Sequence, residues 1–323
     1  MIRQNLGFEN EIVDALQANE KIRLQPGEEP FFLRGQKYVQ NTWRTPEYDA
    51  RWDSLLEQLK HRRRFFNGSA KELFADLFAG VERRTCRTRK EEDRNVVWNL
   101  PQGSVLYRAR ICKSSNDLKD ALFDPFKNVG PLPPEKASAG RMNPEGIPVF
   151  YGSLDWQTCV AETRPAIGND TAVIKLVTTR VLRLLDFNSL GKSYLPLSYF
   201  QPDFAAQCAK GEFISRLQRR ISEPIVPGRE ADYIITQTLA EYLAHVHDHP
   251  FDGILFDSVQ RKEGTNIALF SGVDGGFPSL SYVDKSVTLY RTSSIEYAHE
   301  EFAMLLTDDY GEIIHFRDYE EGE

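Results

Sequence analysis

The side chains best suited to chemistry lie between Ala139 and Pro165. The stretch begins as a loop punctuated by glycine and proline, Ala-Gly-Arg-Met-Asn-Pro-Glu-Gly-Ile-Pro, which holds one cation, Arg141, and one amide, Asn143. It continues through a short apolar strand, Val149-Phe150-Tyr151-Gly152, that ends on Tyr151. It closes on a helix, Thr158-Cys159-Val160-Ala161-Glu162-Thr163-Arg164-Pro165, that carries Glu162. A guanidinium, a phenol and a carboxylate in one short length of chain suggest an anion pocket, because a planar guanidinium fork matches phosphate or carboxylate oxygens. Taken singly, each residue has an ordinary structural role. Arg141 could brace a turn, Glu162 could be a solvated helix carboxylate, and Tyr151 could sit in the core with its hydroxyl satisfied.

The elements that must position these groups are strands followed by a helix. Ser104–Ile111 alternates, with Val105, Tyr107, Ala109 and Ile111 on one face and Leu106, Arg108 and Arg110 on the other. Two arginines on one strand face mean either a solvated face or the lining of an anion site. Further strands are expected at Ala172–Val177, Val181–Asp186, Asp252–Ser258, Asn266–Phe270 and Ser286–Thr292. Helices are expected at Asn10–Ala18, at Arg229–His247 with Ile235, Leu239, Tyr242 and Val246 buried, and at Ile295–Met304. Residues 47–83 read as a helical hairpin. Trp52, Leu55, Leu56 and Leu59 recur on one face, and Ser69 with Glu72 forms a capping box ahead of Leu73, Phe74, Leu77, Phe78 and Val81. The punctuated junction Trp98–Gly103 marks a boundary between a mostly helical domain, 1–100, and a second domain, 101–323.

Composition narrows the function classes. The chain has 323 residues, 41% apolar and 27% charged, with net charge −7, which argues against a general nucleic-acid binder. The basic run His61–Arg64 reads as a solvated helix end. No apolar run reaches the roughly 20 residues that span a bilayer, and Met1–Asn5 opens without the apolar core of a secretory signal. A cytoplasmic protein is therefore expected. Cys86, Cys112, Cys159 and Cys208 lie far apart without a C-x-x-C pair and read as reduced structural thiols. His245, His247 and His249 alternate and do not share one helix face, so no metal site is expected.

Read together, Tyr107-Arg108, Gly140-Arg141-x-Asn143-x-x-Gly146, Tyr151, Ala161-Glu162, Phe251-Asp252-Gly253-Ile254, Ser258 and Asn266-Ile267-Ala268-Leu269-Phe270 resemble the RES-domain family over about Ser104 to Phe270. The Arg, Glu and Ser of that name would be Arg108, Glu162 and Ser258. The helical region ahead resembles the subgroup with an appended N-terminal domain. The resemblance implies an α+β fold related to ADP-ribosyltransferases, with a mixed sheet and flanking helices. It also implies degradation of NAD+ as substrate rather than cofactor, often by a toxin paired with a helix-turn-helix antitoxin.

Cleaving the ribose–nicotinamide bond passes through an oxocarbenium-like state. Arg108 and Arg141, with Arg110 behind them, would hold the pyrophosphate. Gly140 and Asn143 would also bind NAD+, Tyr151 would stack on a ring, Glu162 would orient the ribose and stabilise the transition state, and Ser258 and Asn266 would add hydrogen bonds, with Arg108, Glu162 and Ser258 as the catalytic residues. No G-x-G-x-x-G fingerprint is present. The same residues would suit a glycohydrolase, a phosphorylase, an ADP-ribosyltransferase acting on a macromolecule, or a nucleotide-sensing module without catalysis. A ribonuclease in the helical region is disfavoured, because no Arg followed closely by His occurs there. A homo-oligomer is compatible with the sequence.

Overall fold

Apolar spacing sets the first helices of the computed structural model, which describes residues 43–87, 93–195, 197, 201–222 and 233–295 and two strands at 303–307 and 313–318. Helix α1, Pro46–His61, has proline in its first turn, where the missing N–H costs nothing, and buries Trp52, Leu55 and Leu59. Helix α2, Gly68–Phe78, buries Leu73, Phe74, Leu77 and Phe78. The capping box expected from Ser69 and Glu72 does not form. Asn67 is the cap instead, its side chain accepting from the Ala70 N–H at 3.1 Å, so Ser69 already lies inside the first turn.

A separate ribbon follows, β1 (Thr85–Arg87) antiparallel to β2 (Asp93–Asn95). The remaining strands to residue 291 are β3 Val97–Leu100, β4 Val105–Cys112, β5 Val149–Ser153, β6 Asp170–Thr178, β7 Leu182–Asp186, β8 Gly253–Asp257, β9 Thr265–Phe270, β10 Leu280–Tyr282 and β11 Thr288–Arg291. They form a nine-stranded sheet in the order β10-β6-β4-β5-β9-β8-β7-β3, with β11 also paired to β6. Only β7 and β8 run parallel, so the sheet is mixed. Between β4 and β5 the ladder nearly parts. Their single paired position is Tyr107 opposite Ser153, whereas β4 and β6 pair along the whole of β4.

Both faces of the sheet are covered, and the period-two alternation of its strands feeds both cores. Ile254 and Ala268 join one core with α1, α2 and Phe213, Ile235 and Leu243. Leu255, Ile267 and Leu269 join the other with Leu106, Phe150, Ile174 and Leu176. Helices α3 (Ser115–Phe123) and α4 (Pro125–Val129) contribute Ala121 and Val129 to that second core. Residues 45–323 make one compact unit, and the Trp98–Gly103 junction lies inside it, where β3 pairs along its length with β7. The architecture is α+β, with helices preceding the strands.

Short helix α5, Trp156–Glu162, follows β5, and α6, Phe187–Leu190, follows β7. Helix α7 is Phe204–Ser222 and α8 is Ile234–Glu241. Helix α8 runs into a π turn, Tyr242–Val246. Ile235, Leu239 and Tyr242 are buried as expected, but Val246 is 42% exposed, because the wider π turn rotates it off the buried face. Residues 229–232 of the expected helix lie outside the described residues, as does Asn10–Ala18. Most of the helix expected at Ile295–Met304 does too, and its last two residues open β12, Ala303–Thr307, which pairs with β13, Ile313–Asp318. No helix among the described residues is long and apolar enough to cross a membrane.

Candidate functional site

The site gathers at the seam between β4 and β5. Glu162 is the last residue of α5, a helix opened by Asp155, whose side chain accepts from the Thr158 N–H at 2.8 Å. Glu162 is exposed, and one oxygen, Oε1, is gripped by two donors. Ser258 Oγ donates to it at 2.6 Å and Asn266 Nδ2 at 2.8 Å. Ser258 stands just past the end of β8, and its Oγ also accepts from the N–H groups of Gln260 and Arg261, which fixes the turn. Asn266 is buried in β9, and its Oδ1 accepts from Ser153 Oγ at 2.8 Å. The carboxylate is therefore oriented from two strands, while Oε2 makes no hydrogen bond to a described residue. The Ser258 hydroxyl hydrogen and one Asn266 amide hydrogen are directed at Glu162, so both residues orient the carboxylate.

Arg108 projects from β4 across the seam, where its Nη1 donates to the Tyr151 carbonyl, and its guanidinium lies 5.7 Å from the Phe150 ring centre. Burial pushes its pKa down, with Arg110 as a like-charged neighbour, although a guanidinium remains charged near neutrality. Its Nε is buried without any partner. Arg110 points from the same strand face, and burial lowers its pKa too. It lines a groove of about 470 Å³ that reaches Thr163, next to Glu162. Burial likewise depresses Arg141, which lies in the field of Tyr233, Tyr151, Glu162 and Arg164. The alternative left open by the β4 alternation is thus decided against a freely solvated face.

The loop that carries Arg141 is braced from within. Asn143 is buried. Its Nδ2 donates to the Ser138 and Pro144 carbonyls, and its Oδ1 accepts from the Tyr151 hydroxyl at 2.8 Å. That hydroxyl in turn accepts from the Met142 N–H at 2.9 Å. Burial pushes the Tyr151 phenol up to about 12. Tyr151 lies in the middle of β5 rather than at its end, and its hydroxyl is committed to the loop. Asn143 has no amide atom left for a ligand, so its part in the site is architectural. Gly140 is required by packing, since a Cβ there would lie 2.7 Å from Asn143 Oδ1 and 2.9 Å from the Tyr151 hydroxyl.

Several contributors carried no signal readable from local pattern. Thr236 Oγ1 donates to the Arg141 carbonyl, and Gln237 Nε2 donates to the carbonyls of Gly140 and Asn143, so α8 pins the loop. Arg164, two residues past Glu162, holds a left-handed φ of 50° ahead of Pro165. With the Gln260 amide turned to face it, the Gln260 carbonyl accepts from Arg164 Nη2 at 2.9 Å. Its strained backbone was invisible in the sequence, which shows only a cation two residues past Glu162 and ahead of a proline. His247 is buried, and its Nδ1 accepts from the His249 N–H at 3.1 Å.

Comparison with known proteins places this chain in a family. A family model described as RES domain matches residues 105–291, which span every strand from β4 to β11 and every site residue named above. Neither the curated proteins nor the solved structures gave a match. With well over half of the chain matched, this protein belongs to the RES domain family.

Proposed function

We propose that this protein consumes NAD+ by cleaving its nicotinamide–ribose bond. The observation that carries the reading is the Glu162 carboxylate, held through one oxygen by Ser258 and Asn266 beside a set of half-buried arginines. A fixed carboxylate next to arginines suits a substrate that joins a pyrophosphate to a sugar about to become cationic. Arg108, Arg110 and Arg141 bind the pyrophosphate. Glu162 Oε2 accepts from a ribose hydroxyl and stabilises positive charge as it develops at the anomeric carbon.

In the reaction the bond between the anomeric carbon and the nicotinamide nitrogen breaks. Its electron pair leaves with nicotinamide, which departs neutral. An acceptor oxygen attacks the same carbon and releases its proton. With water the products are ADP-ribose, nicotinamide and a proton; with phosphate the sugar product carries the phosphate. Loss of NAD+ harms the cell that makes the enzyme, so a toxin restrained by a partner protein follows, and the resemblance points to a helix-turn-helix antitoxin.

The test is incubation of the purified protein with NAD+, with and without phosphate, following nicotinamide by chromatography. Wild type releases nicotinamide, and Glu162→Gln slows release by about 10²–10⁴-fold, the range for removal of one charge-stabilising catalytic group. A folded wild-type protein that releases none overturns the proposal.

A further inference from the structure

Away from the seam, a second cluster of cations is buried without enough negative charge to balance it. Arg84, just before β1, is 2% exposed, the largest fully buried side chain among the described residues. Its Nη1 donates to Ser193 Oγ at 3.3 Å, and its Nε has no partner. Among the described residues no carboxylate pairs with it. Lys210 of α7 is 4% exposed and lies close by: a Cβ on the adjacent Gly211 would be 3.9 Å from both Nη atoms of Arg84. The nearest anion to Lys210 is Asp76, at 3.4 Å, and that carboxylate already takes a 2.7 Å bond from Arg51. Arg51 and Lys210 thus share the Asp76 carboxylate, while Arg84 beside Lys210 does not bond to it. Burial pushes the pKa of both Lys210 and Arg84 down, which marks the cost of the arrangement.

Lys210 lines an open cavity of about 350 Å³, together with Gly80, Arg83, Gln201, Asp203 and Gln207. Arg83 folds back over Gly80, its Nη2 3.1 Å from where a Cβ would stand, and adds a further cation at the mouth. A cavity lined by Lys210, whose ammonium shares Asp76 with Arg51, and by Arg83, Gln201 and Gln207 is suited to an anion. Asp203, the one carboxylate in that lining, accepts from Gln207 Nε2 at 3.1 Å. It would repel a fully deprotonated anion, but it accepts a hydrogen bond from an anion that still carries a proton.

We propose that this cavity is a second anion site, separate from the seam, that binds hydrogenphosphate or a singly protonated phosphomonoester against Lys210 and Arg83, with Arg84 as the buried charge behind. It draws one lining, Ala79, Gly80 and Arg83, from the chain just after α2, ahead of the matched family region, and the other from α7 and the chain leading into it. The helical layer therefore contributes directly to ligand binding.

The test is the shift in melting temperature, and the heat of binding, on titrating inorganic phosphate, AMP or sulfate into wild type, Lys210→Gln, Arg83→Gln and Arg108→Gln. Phosphate, AMP or both raise the melting temperature of wild type and of Arg108→Gln, and sulfate does so far less. A response to phosphate alone assigns the free ion, and a response to AMP assigns the phosphomonoester. Lys210→Gln, with one hydrogen bond to a charged partner gone, binds about tenfold more weakly or worse. Arg83→Gln, a surface change that leaves the fold alone, also weakens binding and serves if Lys210→Gln does not fold. A response lost in Arg108→Gln but kept in Arg83→Gln places the anion at the seam and overturns the proposal. So does sulfate binding as tightly as phosphate, or no response to either phosphate or AMP.

Discussion

Replacing Ser258 by alanine tests the reading of Glu162 most directly. The change removes a 2.6 Å hydrogen bond to Glu162 Oε1 and leaves the 2.8 Å bond from Asn266 in place. Hydrogen bonds to charged groups contribute roughly 1.5–3 kcal/mol, and Glu162 is exposed, so water replaces part of the loss and the low end applies. About 1.5 kcal/mol corresponds to roughly a tenfold fall in the correctly oriented carboxylate, and so in kcat/KM for nicotinamide release. If Ser258 acts only through Glu162, the effect must vanish when the carboxylate is gone. In a Glu162→Gln background, Ser258→Ala should change the residual rate by less than about twofold. The assay is the double-mutant cycle on nicotinamide release, with circular dichroism confirming the fold of each variant. An equal tenfold loss in both backgrounds would refute the positioning role and make Ser258 a direct substrate contact.

Gly140→Ala should lower stability by about 2–4 kcal/mol, the loss of the Tyr151–Asn143 bond plus a stranded buried acceptor, measurable by urea denaturation. An unchanged midpoint would show that the loop gives way freely. Arg108→Lys should cost about 10²-fold in kcat/KM despite the conserved charge, since an ammonium cannot bridge to the Tyr151 carbonyl and still present a planar fork to phosphate. Wild-type kinetics in that variant would remove Arg108 from the site. Burial pushes the Cys159 thiol from its ordinary 9.0 up to about 12. The folded state therefore favours the neutral thiol. The stability this gives is whole below about pH 9 and is lost as pH rises toward 12. Melting temperature should decline across that window and decline less in Cys159→Ala; parallel profiles would show that the thiol does not contribute.

Strand β4 was legible because its polar residues sit at a two-residue offset, Arg108 and Arg110 on one face, whereas the short strands β1, β2, β3 and β10 carried too few residues to show a period. Glu162, Ser258 and Asn266 were legible as members of one set, but their direct contact was not, since it depends on a register that brings β8 and β9 under α5. The role of Asn143 was hidden because its partner is a phenol reached only when the loop folds back on β5. The N-cap of α2 was misplaced by two residues because Asn67 and Ser69 are equally competent caps. Lys210 and Asp76, 134 positions apart, had no local pattern to join them.

The seam in the sheet bears on how the protein is made. Strands β4, β6, β10 and β11 lie on one side of it and β5, β9, β8, β7 and β3 on the other, so the chain crosses back and forth several times before both halves are whole. Arg108 and Arg110 come from the first half, Ser258 and Asn266 from the second, and Glu162 from the connection between them. A growing chain that has reached residue 257 already contains every arginine of the site and the carboxylate itself, but lacks both groups that aim it. For a protein whose proposed activity would harm its own maker, that order of synthesis would keep the nascent chain inert until most of it has been translated.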